Sequence, residues 1–420
     1  MRGVSLSVCL LIASVGVAAP AGFVKTTIPL NGLPVGLAFD NGGTLYALEG
    51  ASFGDNVATL RVIHTDGTFG GSFPVAGDDT SNFFVGSMAY DAVGNRLLVS
   101  DNTADGRLYA ISKTGEQQTI AHDVAGIAGI AVRESGEIFV STSPFGVPGE
   151  VLQVNRATGG TTSVLAGLGF GAGLAFDSLG NLIVQDSNTT TFQGRLQQLP
   201  MMSSGSGLTI GAAVPLLDGM QSAAGLVMTD DDAIFTTGAG GLFEVVGTPL
   251  AEKLFDTNGT ASQFATAIAF DAGTQPFEPF AGPNGGRLAY MADFGFASQD
   301  SFITLLTPAE PGDYNADGHV DANDYSVWRA AFGTGNPAAD GNRDGMVDAA
   351  DYVLWRPHLV TQSVGSAGSS VPEPMLLTLV ILPFLAIQLL GRFRQTRAAG
   401  KGLRSTPSTW PLARDKRRRS

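Results

Sequence analysis

The chain of 420 residues has a single cysteine and few charged side chains. Cys9 lies in an apolar N-terminal stretch that we interpret as a leader, so the mature chain would have no disulfide, thiolate metal site or cysteine nucleophile. Charged residues make up 15% of the chain, against about 25% in an average soluble protein. This argues against a helical bundle or coiled coil. Glycine is abundant instead, with 56 residues, and favours short strands joined by tight turns.

The charge is distributed unevenly along the chain. The net charge is −14, but residues 391–420 contain ten Lys or Arg side chains and one Asp, which leaves about −23 on residues 1–390. An acidic body repels phosphate groups, so we expect no binding of nucleic acid.

The N-terminus has the order of features found in a secretory leader. A positive start, Met1–Arg2, precedes the apolar stretch 4–17, and the small residues Ala18, Ala19 and Ala21 follow. The pattern predicts a signal peptide over residues 1–21. A buried N-terminal helix is the alternative.

The C-terminal region begins with a small, polar linker, residues 361–370. Val371-Pro-Glu-Pro374 follows, then an apolar run over 375–390 that predicts a helix, then Gly391-Arg-Phe-Arg394. The run is 16 residues long, against about 20 for a comfortable membrane-spanning helix.

This arrangement over residues 371–397 resembles the PEP-CTERM sorting signal of Gram-negative bacteria, followed here by a basic tail, 398–420. The resemblance implies export to the cell surface or beyond, transient anchoring in a membrane, and removal of the signal by a sorting protease. A retained single-pass anchor is the alternative.

The segment 22–308 repeats one pattern six times at a mean spacing of about 46 residues. Each copy has a small residue, apolar positions, usually an Asp, a glycine turn and further strand-like runs. The period and about four strands per unit are typical of the blades of a β-propeller. The copies start at Gly36, Ser87, Gly129, Gly173, Gly225 and Ala267.

The last copy has only three strands, while an unassigned strand, Val24–Leu30, precedes the first copy. We therefore predict that the N-terminal strand completes the sixth blade and closes the ring, which removes an exposed edge. An open β-solenoid or two separate sheets are the alternatives. The repeats resemble six-bladed NHL-type and gluconolactonase-like propellers, across residues 23–308.

The residues just before the six innermost strands carry no group that titrates near neutral pH, which argues against catalysis there. Four acids end second strands at equivalent positions, where a cation site or structural turn caps are the two alternatives. The acids of this ring are Glu49, Asp101, Asp186 and Asp293, and Thr142 and Gly238 hold the other two positions.

Two twelve-residue acidic loops, 27 residues apart, have the oxygen spacing of an EF-hand calcium loop, and we predict that they bind two Ca²⁺ ions. The predicted ligands of the first loop are Asp313, Asn315, Asp317, the backbone carbonyl of His319, Asp321 and Asp324. Those of the second loop are Asp340, Asn342, Asp344, the backbone carbonyl of Met346, Asp348 and Asp351.

We predict a helix after each loop, with Tyr325 and Trp328 of the first facing Tyr352 and Trp355 of the second, and an end to the second helix at Pro357. Residues 309–360 resemble a type I dockerin. The resemblance implies a small α-helical calcium-dependent docking domain with a cohesin-like protein, or another surface protein, as partner.

The predicted fold is thus mainly β: a six-bladed β-propeller, a small dockerin-like domain and a C-terminal apolar helix. The predicted function is that of an exported surface protein, with a propeller that binds without catalysing and a docking module. The alternative is a carbohydrate-active or lactonase-like propeller enzyme involved in polysaccharide breakdown, with a glycan as partner. A third hypothesis makes the docking module an internal brace for the propeller.

Overall fold

The computed structural model describes residues 20, 22–50, 57–64, 67–77, 85–144, 146–204, 207–230, 232–257, 265–271, 286–292, 301–342 and 344–359. The predicted linker, the sorting signal with its apolar helix 375–390, the basic tail and most of the predicted signal peptide lie outside these residues. No helix within the described ranges is long and apolar enough to cross a membrane.

Six four-stranded antiparallel sheets confirm the predicted six-bladed propeller. The strands of blades one to three are β2 (Leu33–Phe39), β3 (Leu45–Gly50), β4 (Val57–Ile63), β5 (Phe69–Ala76); β6 (Val85–Asp91), β7 (Arg96–Asp101), β8 (Leu108–Ser112), β9 (Gln117–Ala121); and β10 (Ile127–Val132), β11 (Ile138–Thr142), β12 (Gly149–Val154), β13 (Thr161–Leu168). Those of blades four to six are β14 (Phe170–Phe176), β15 (Leu182–Ser187), β16 (Gly194–Leu199), β19 (Val214–Met220); β20 (Ser222–Met228), β21 (Ile234–Gly238), β22 (Gly241–Val246), β23 (Ala251–Thr257); and β24 (Ala265–Asp271), β25 (Arg287–Ala292), β26 (Phe302–Pro308), β1 (Phe23–Pro29).

The ring closes through its N-terminal strand, as the sequence predicts. β1 pairs antiparallel with β26 over its whole length, from Phe23 opposite Pro308 to Pro29 opposite Phe302. The Lys25 ammonium lies 2.7 Å from a carboxylate oxygen of Asp256, which belongs to the fifth blade. The Tyr290 hydroxyl donates a hydrogen bond to the same carboxylate. The sixth blade is therefore joined to its neighbour by charge as well as by packing.

The glycines that open the first and fourth repeats have a packing role at the centre of the ring. A Cβ atom at Gly173 would lie 2.3 Å from the Cβ atom of Leu226, on the innermost strand of the next blade. A Cβ atom at Gly36 would lie 2.9 Å from that of Met88, which again belongs to the next blade. Real Cβ atoms do not approach so closely, so these glycines let neighbouring innermost strands pack together.

An Asp at the end of the innermost strand caps its own turn and binds the next blade in the first two blades, as Asp91 illustrates. Asp91, which is fully buried, accepts hydrogen bonds from the backbone of Gly94, from Arg96 in its own blade and from Arg156 in the third blade. Burial alone would raise the pKa of Asp91, but these hydrogen bonds outweigh it and hold the pKa below its ordinary value.

One element was not predicted from the sequence. Two short strands, β17 (Met201–Ser204) and β18 (Gly207–Ile210), form a separate hairpin between β16 and β19. The hairpin lengthens the fourth repeat. It evaded prediction because its strands of four residues each are too short to show a clear alternation of apolar and polar positions.

The C-terminal segment contains two helices, α1 (Ala322–Ala331) and α2 (Ala349–His358). Each begins with a capping box, in which the side chain of the N-cap residue, Asp321 or Asp348, accepts a backbone hydrogen bond. The second helix is short, as predicted, but it ends one residue beyond the predicted stop at Pro357. α2 includes Pro357 in its last turn, where a missing N–H costs only one of the final helical hydrogen bonds.

The four predicted aromatic side chains do pack together. The ring centroids of Tyr325 and Trp355 are 5.4 Å apart, and those of Trp328 and Tyr352 are 5.2 Å apart. The indole N–H of each tryptophan donates to a backbone carbonyl of the opposite half: Trp328 to Asp348 at 2.8 Å and Trp355 to Asp321 at 2.9 Å. This two-fold repetition joins the two loop–helix units into one small core.

Candidate functional site

The innermost strands of the six blades surround a central channel with a cavity of about 220 Å³. The cavity reaches the first residues of several of these strands, because Gly86, Ala128 and Thr266 are each the second residue of their strand. Among the described residues that line it, every side chain is neutral, and polar groups come from Ser87, Thr266, Tyr90 and the backbone. This agrees with the absence of titratable groups that the sequence predicted there.

The predicted ring of acids does not come together as one site in the part of the chain that the structure describes. Glu49 accepts two hydrogen bonds from the guanidinium of Arg61, with distances of 2.5 and 3.0 Å. Thr142, at the equivalent position of the third blade, accepts the backbone N–H of Glu150 at 2.9 Å. Asp101 is buried, and Asp293 lies outside the described residues.

Asp186, another member of this ring, accepts several hydrogen bonds from described residues. Its carboxylate accepts hydrogen bonds from two guanidinium nitrogens of Arg195, at 2.6 and 2.8 Å, and from the backbone N–H of Gly169 at 2.8 Å. The hydrogen bond to Asp186 raises the pKa of Arg195. Glu49 and Asp186 are thus each held by an arginine of the third strand of their blade, which is a structural role but differs from the predicted turn cap.

In the first predicted calcium loop, several carboxylates accept backbone hydrogen bonds. Asp324 accepts from the N–H groups of Tyr314, Asn315 and Asp321 at 2.7 to 3.0 Å. Asp313 accepts from Gly318 at 2.9 Å. Burial raises the pKa of Asp313 to about 6, and the nearby charge of Asp324 adds to this effect.

The second loop repeats the first with one difference. Asp351 accepts from the N–H groups of Asn342 and Asp348, and Asp340 accepts from Gly345 at 2.8 Å through Oδ2. The other carboxylate oxygen of Asp340, Oδ1, is buried and has no hydrogen-bond partner among the residues that the structure describes.

Side-chain groups of three or more His, Cys, Asp or Glu arranged to hold a metal are absent from the described part of the chain. The donor set of the two loops still fits a hard cation such as Ca²⁺, because it consists of carboxylates, and in the second loop one buried carboxylate oxygen has no partner among the described residues. The predicted ligand residues and the count of two ions stay predictions.

One surface feature was not predicted from the sequence. Phe170 and Phe192 have nearly parallel rings, with an interplanar angle of 6° and centroids 5.8 Å apart. They are 39% and 67% exposed, respectively. We call this pair the aromatic platform. The available signal was Phe192 itself, a large aromatic residue within the polar run Asn188-Thr-Thr-Thr-Phe-Gln193, where no strand requires it.

Known structures resemble the chain in fold only. No protein-family model and no curated protein match it. An aldose sugar dehydrogenase of Streptomyces coelicolor, solved with bound PQQ, is 17% identical, with 69% of this chain and 99% of that chain covered and a TM-score of 0.50. A calcium-binding protein, regucalcin, of Agrobacterium tumefaciens is 18% identical, with 70% and 98% covered and a TM-score of 0.49. A gluconolactonase of Xanthomonas campestris is 16% identical, with 69% and 91% covered and a TM-score of 0.48.

The main sequence-based prediction of function is corrected at this point. It assigned a non-enzymatic binding propeller and a calcium-dependent docking module. A ring of this fold also occurs in a solved sugar dehydrogenase, so the fold gives no ground for a propeller that binds without catalysing. A neutral channel wall does not exclude catalysis, because a catalytic group need not come from the residues just before the innermost strands. The predicted partners stay predictions.

Proposed function

We propose that the propeller is an enzyme that acts on small carbohydrates, as a lactonase-like or other carbohydrate-active enzyme. The observation that carries this proposal is the central cavity of about 220 Å³. It is smaller than the roughly 300–1,000 Å³ of pockets for drug-sized ligands, so it suits one small molecule, such as a sugar lactone. Its neutral wall, with hydroxyls of Ser87 and Thr266, suits an uncharged and polar substrate.

Hydrolysis of a lactone requires a water molecule to add to the carbonyl carbon and form a tetrahedral intermediate. The ring C–O bond of this intermediate then breaks, and the leaving oxygen takes up the proton that the water has lost. The water must lose a proton to a base or be activated by a metal ion. Because the described wall of the cavity is neutral, this group has to reach the substrate from the channel end. Asp101 ends the second strand of its blade and is the carboxylate to test first.

The test measures turnover of D-glucono-δ-lactone and of short glucans by the purified full-length chain, with and without added divalent metal ions. Ala128→Phe and Ser87→Phe place a large ring in the cavity and should each abolish turnover while the melting temperature stays near that of the wild type. Ala157→Phe, in an exposed turn of the third blade, is the matched control and should retain activity. An inactive wild-type protein, or two fully active cavity variants, would refute the proposal.

We further propose that the C-terminal segment binds Ca²⁺. The unpartnered Oδ1 of Asp340 supports this proposal, because a cation would satisfy it. The ion would neutralise clustered carboxylates and couple its binding to the folding of the two loops. The residues that would hold the two ions are those predicted from the sequence: Asp313, Asn315, Asp317, His319, Asp321 and Asp324, and Asp340, Asn342, Asp344, Met346, Asp348 and Asp351.

Calorimetric titration of the full chain with CaCl₂ tests this proposal. We expect two equivalents of Ca²⁺ for the wild type and one for either Asp313→Asn or Asp340→Asn. Asp123→Asn, which changes an exposed acid of the propeller, should leave both sites intact. Absence of binding at millimolar Ca²⁺ would contradict the proposal.

Export is also a proposal, supported by the N-terminal and C-terminal sequence patterns. Mass spectrometry of the mature protein, purified from its native host, should find a new N-terminus near Ala19 or Ala21 and loss of the residues after the Pro-Glu-Pro motif. Intact termini at both ends would contradict it.

A further inference from the structure

The aromatic platform stands at the end of the ring that the cavity reaches. Phe170 is the first residue of β14, and Gly173 on the same strand lines the cavity. Phe170 lies opposite Ser187, the last residue of β15, and the loop that follows Ser187 carries Phe192. At about 3.3 Å per strand residue, the platform is roughly 10 Å from the cavity wall.

The loop that carries Phe192 is held in shape by its own hydrogen bonds. The N–H of Phe192 donates to the Asn188 carbonyl and the N–H of Asn188 donates to the Gln193 carbonyl, both at 2.9 Å. The side-chain oxygen of Asn188 accepts from the N–H groups of Thr190 and Thr191 at 2.8 and 3.0 Å.

Phe192 also has an unfavourable backbone conformation, with φ at 57°, in the left-handed region that a bulky residue seldom adopts. Asn or Gly would be the better choice for this position on backbone grounds. A large apolar ring is therefore present, exposed and strained, where folding does not require it. Strain of this kind is concentrated at sites that contact ligands.

The chemistry around the platform favours one class of occupant. Every residue from 188 to 193 is exposed and uncharged, and three threonines supply hydroxyl groups in the same loop as Phe192. The nearest arginine in sequence, Arg195, is paired with Asp186. A neutral sugar ring presents C–H groups on its faces and hydroxyls at its rim, so it matches both features, whereas a phosphate or carboxylate ligand would find no free cation in this loop.

We propose that the aromatic platform is a pyranose-binding subsite, on which a sugar ring stacks while the part of the substrate that reacts lies toward the channel. This subsite deepens the proposed function and rests on it for the identity of the substrate. It predicts a preference for substrates with at least one sugar unit beyond the one that enters the cavity.

The experiment uses the full-length chain and two probes, methyl β-D-glucopyranoside and cellotriose, with binding followed by saturation-transfer NMR and calorimetry. We expect saturation of the C–H protons of one sugar face. Phe192→Asn should weaken cellotriose binding at least tenfold without lowering the melting temperature, because Asn tolerates the left-handed backbone. Phe192→Trp should bind within about threefold of the wild type, since its ring is retained.

Leu179→Ala is the matched control. Leu179 is 79% exposed in the turn at the opposite end of the same blade, so its removal should not affect sugar binding. Failure of the wild type to bind either probe, or equal binding by Phe192→Asn, would overturn the subsite.

The outcomes separate the subsite from the enzyme proposal. If the wild type turns over substrate, and Phe192→Asn has an unchanged KM and an unchanged sugar affinity, the subsite is refuted and the enzyme proposal is supported. If Phe192→Asn loses sugar binding and the wild type shows no turnover, the subsite is supported and the enzyme proposal is refuted. Agreement with both proposals requires a raised KM at nearly constant kcat, because the platform contacts a part of the substrate that does not react.

Discussion

Lys113 of the second blade lies 2.7 Å from a carboxylate oxygen of Asp40, which ends the innermost strand of the first blade. The same carboxylate accepts the backbone N–H groups of Gly42 and Thr44 in its own turn. Asp91 and Arg156 repeat this relationship between the second and third blades. In the first two blades the Asp of the repeat therefore joins its blade to the next one, in addition to closing a turn.

Asp91→Asn should destabilise the propeller. The substitution leaves two arginines without a buried anionic partner, and breaking such a pair costs roughly 2–4 kcal/mol when the partners are partly exposed. Urea denaturation should show a lower midpoint with an unchanged slope. Asp123→Asn, which changes an exposed acid next to His122, should shift the free energy of unfolding by less than about 0.5 kcal/mol.

Asp91 also predicts a pH dependence. Its folded-state pKa is lower than its unfolded value of 3.8, so its contribution to stability is present above that value and is lost as the pH falls through the folded pKa. Between pH 7 and pH 3, the wild type should therefore lose more stability than Asp91→Asn. Parallel decline of the two proteins would contradict this assignment.

Gly173→Ala should disturb the packing between the fourth and fifth blades. The new methyl group would meet Leu226 at 2.3 Å, and overpacking of this kind costs about 1–3 kcal/mol or more. Gly160→Ala is the control, because the nearest atom to its added Cβ, the Thr158 hydroxyl oxygen, is 3.4 Å away. Thermal denaturation should separate the two variants by several degrees, and equal melting temperatures would disprove the packing role.

Lys25→Met should weaken the closure of the ring. Without the ammonium group, Asp256 stays buried and keeps the Tyr290 hydroxyl as its side-chain partner among the described residues. We expect the free energy of unfolding to fall by roughly 2–3 kcal/mol. Lys253→Met makes the same change at an exposed position of β23 and should be nearly neutral. Hydrogen exchange of the β1 amides should accelerate in the first variant alone.

Removal of Ca²⁺ should loosen the C-terminal aromatic cluster. If the ion is bound at a hundred times its dissociation constant, its loss costs about 2.7 kcal/mol. The emission of Trp328 and Trp355 should then shift to the red after addition of chelator and recover with excess Ca²⁺. Asp340→Asn should reduce the response, and a spectrum insensitive to chelator would argue against a structural ion.

The architecture could be predicted from the sequence because it depends on repetition. Six similar strand patterns and a missing strand in the last copy determine both the blade count and the pairing of β1 with β26. The two helices after the acidic loops could be predicted for a similar reason, since Asp321 and Asp348 recur at the same distance from their loops.

The site was harder to predict because it depends on contacts between distant residues. The pairing of Asp186 with Arg195 is local, but no pattern in the sequence states that it removes this acid from a common metal site. The meeting of Phe170 and Phe192 follows from the register of β14 and β15, which becomes visible only in three dimensions.

The pairing of β1 with β26 has a consequence for how the chain matures. Phe23 is synthesised at the start of the propeller, yet its partner Pro308 is the last residue of the sixth blade. Synthesis proceeds from the N-terminus, so β1 lacks its partner strand until β26 has been made. The ring therefore closes last, and a chain truncated before β26 would leave an incomplete ring with an unpaired strand edge at each end.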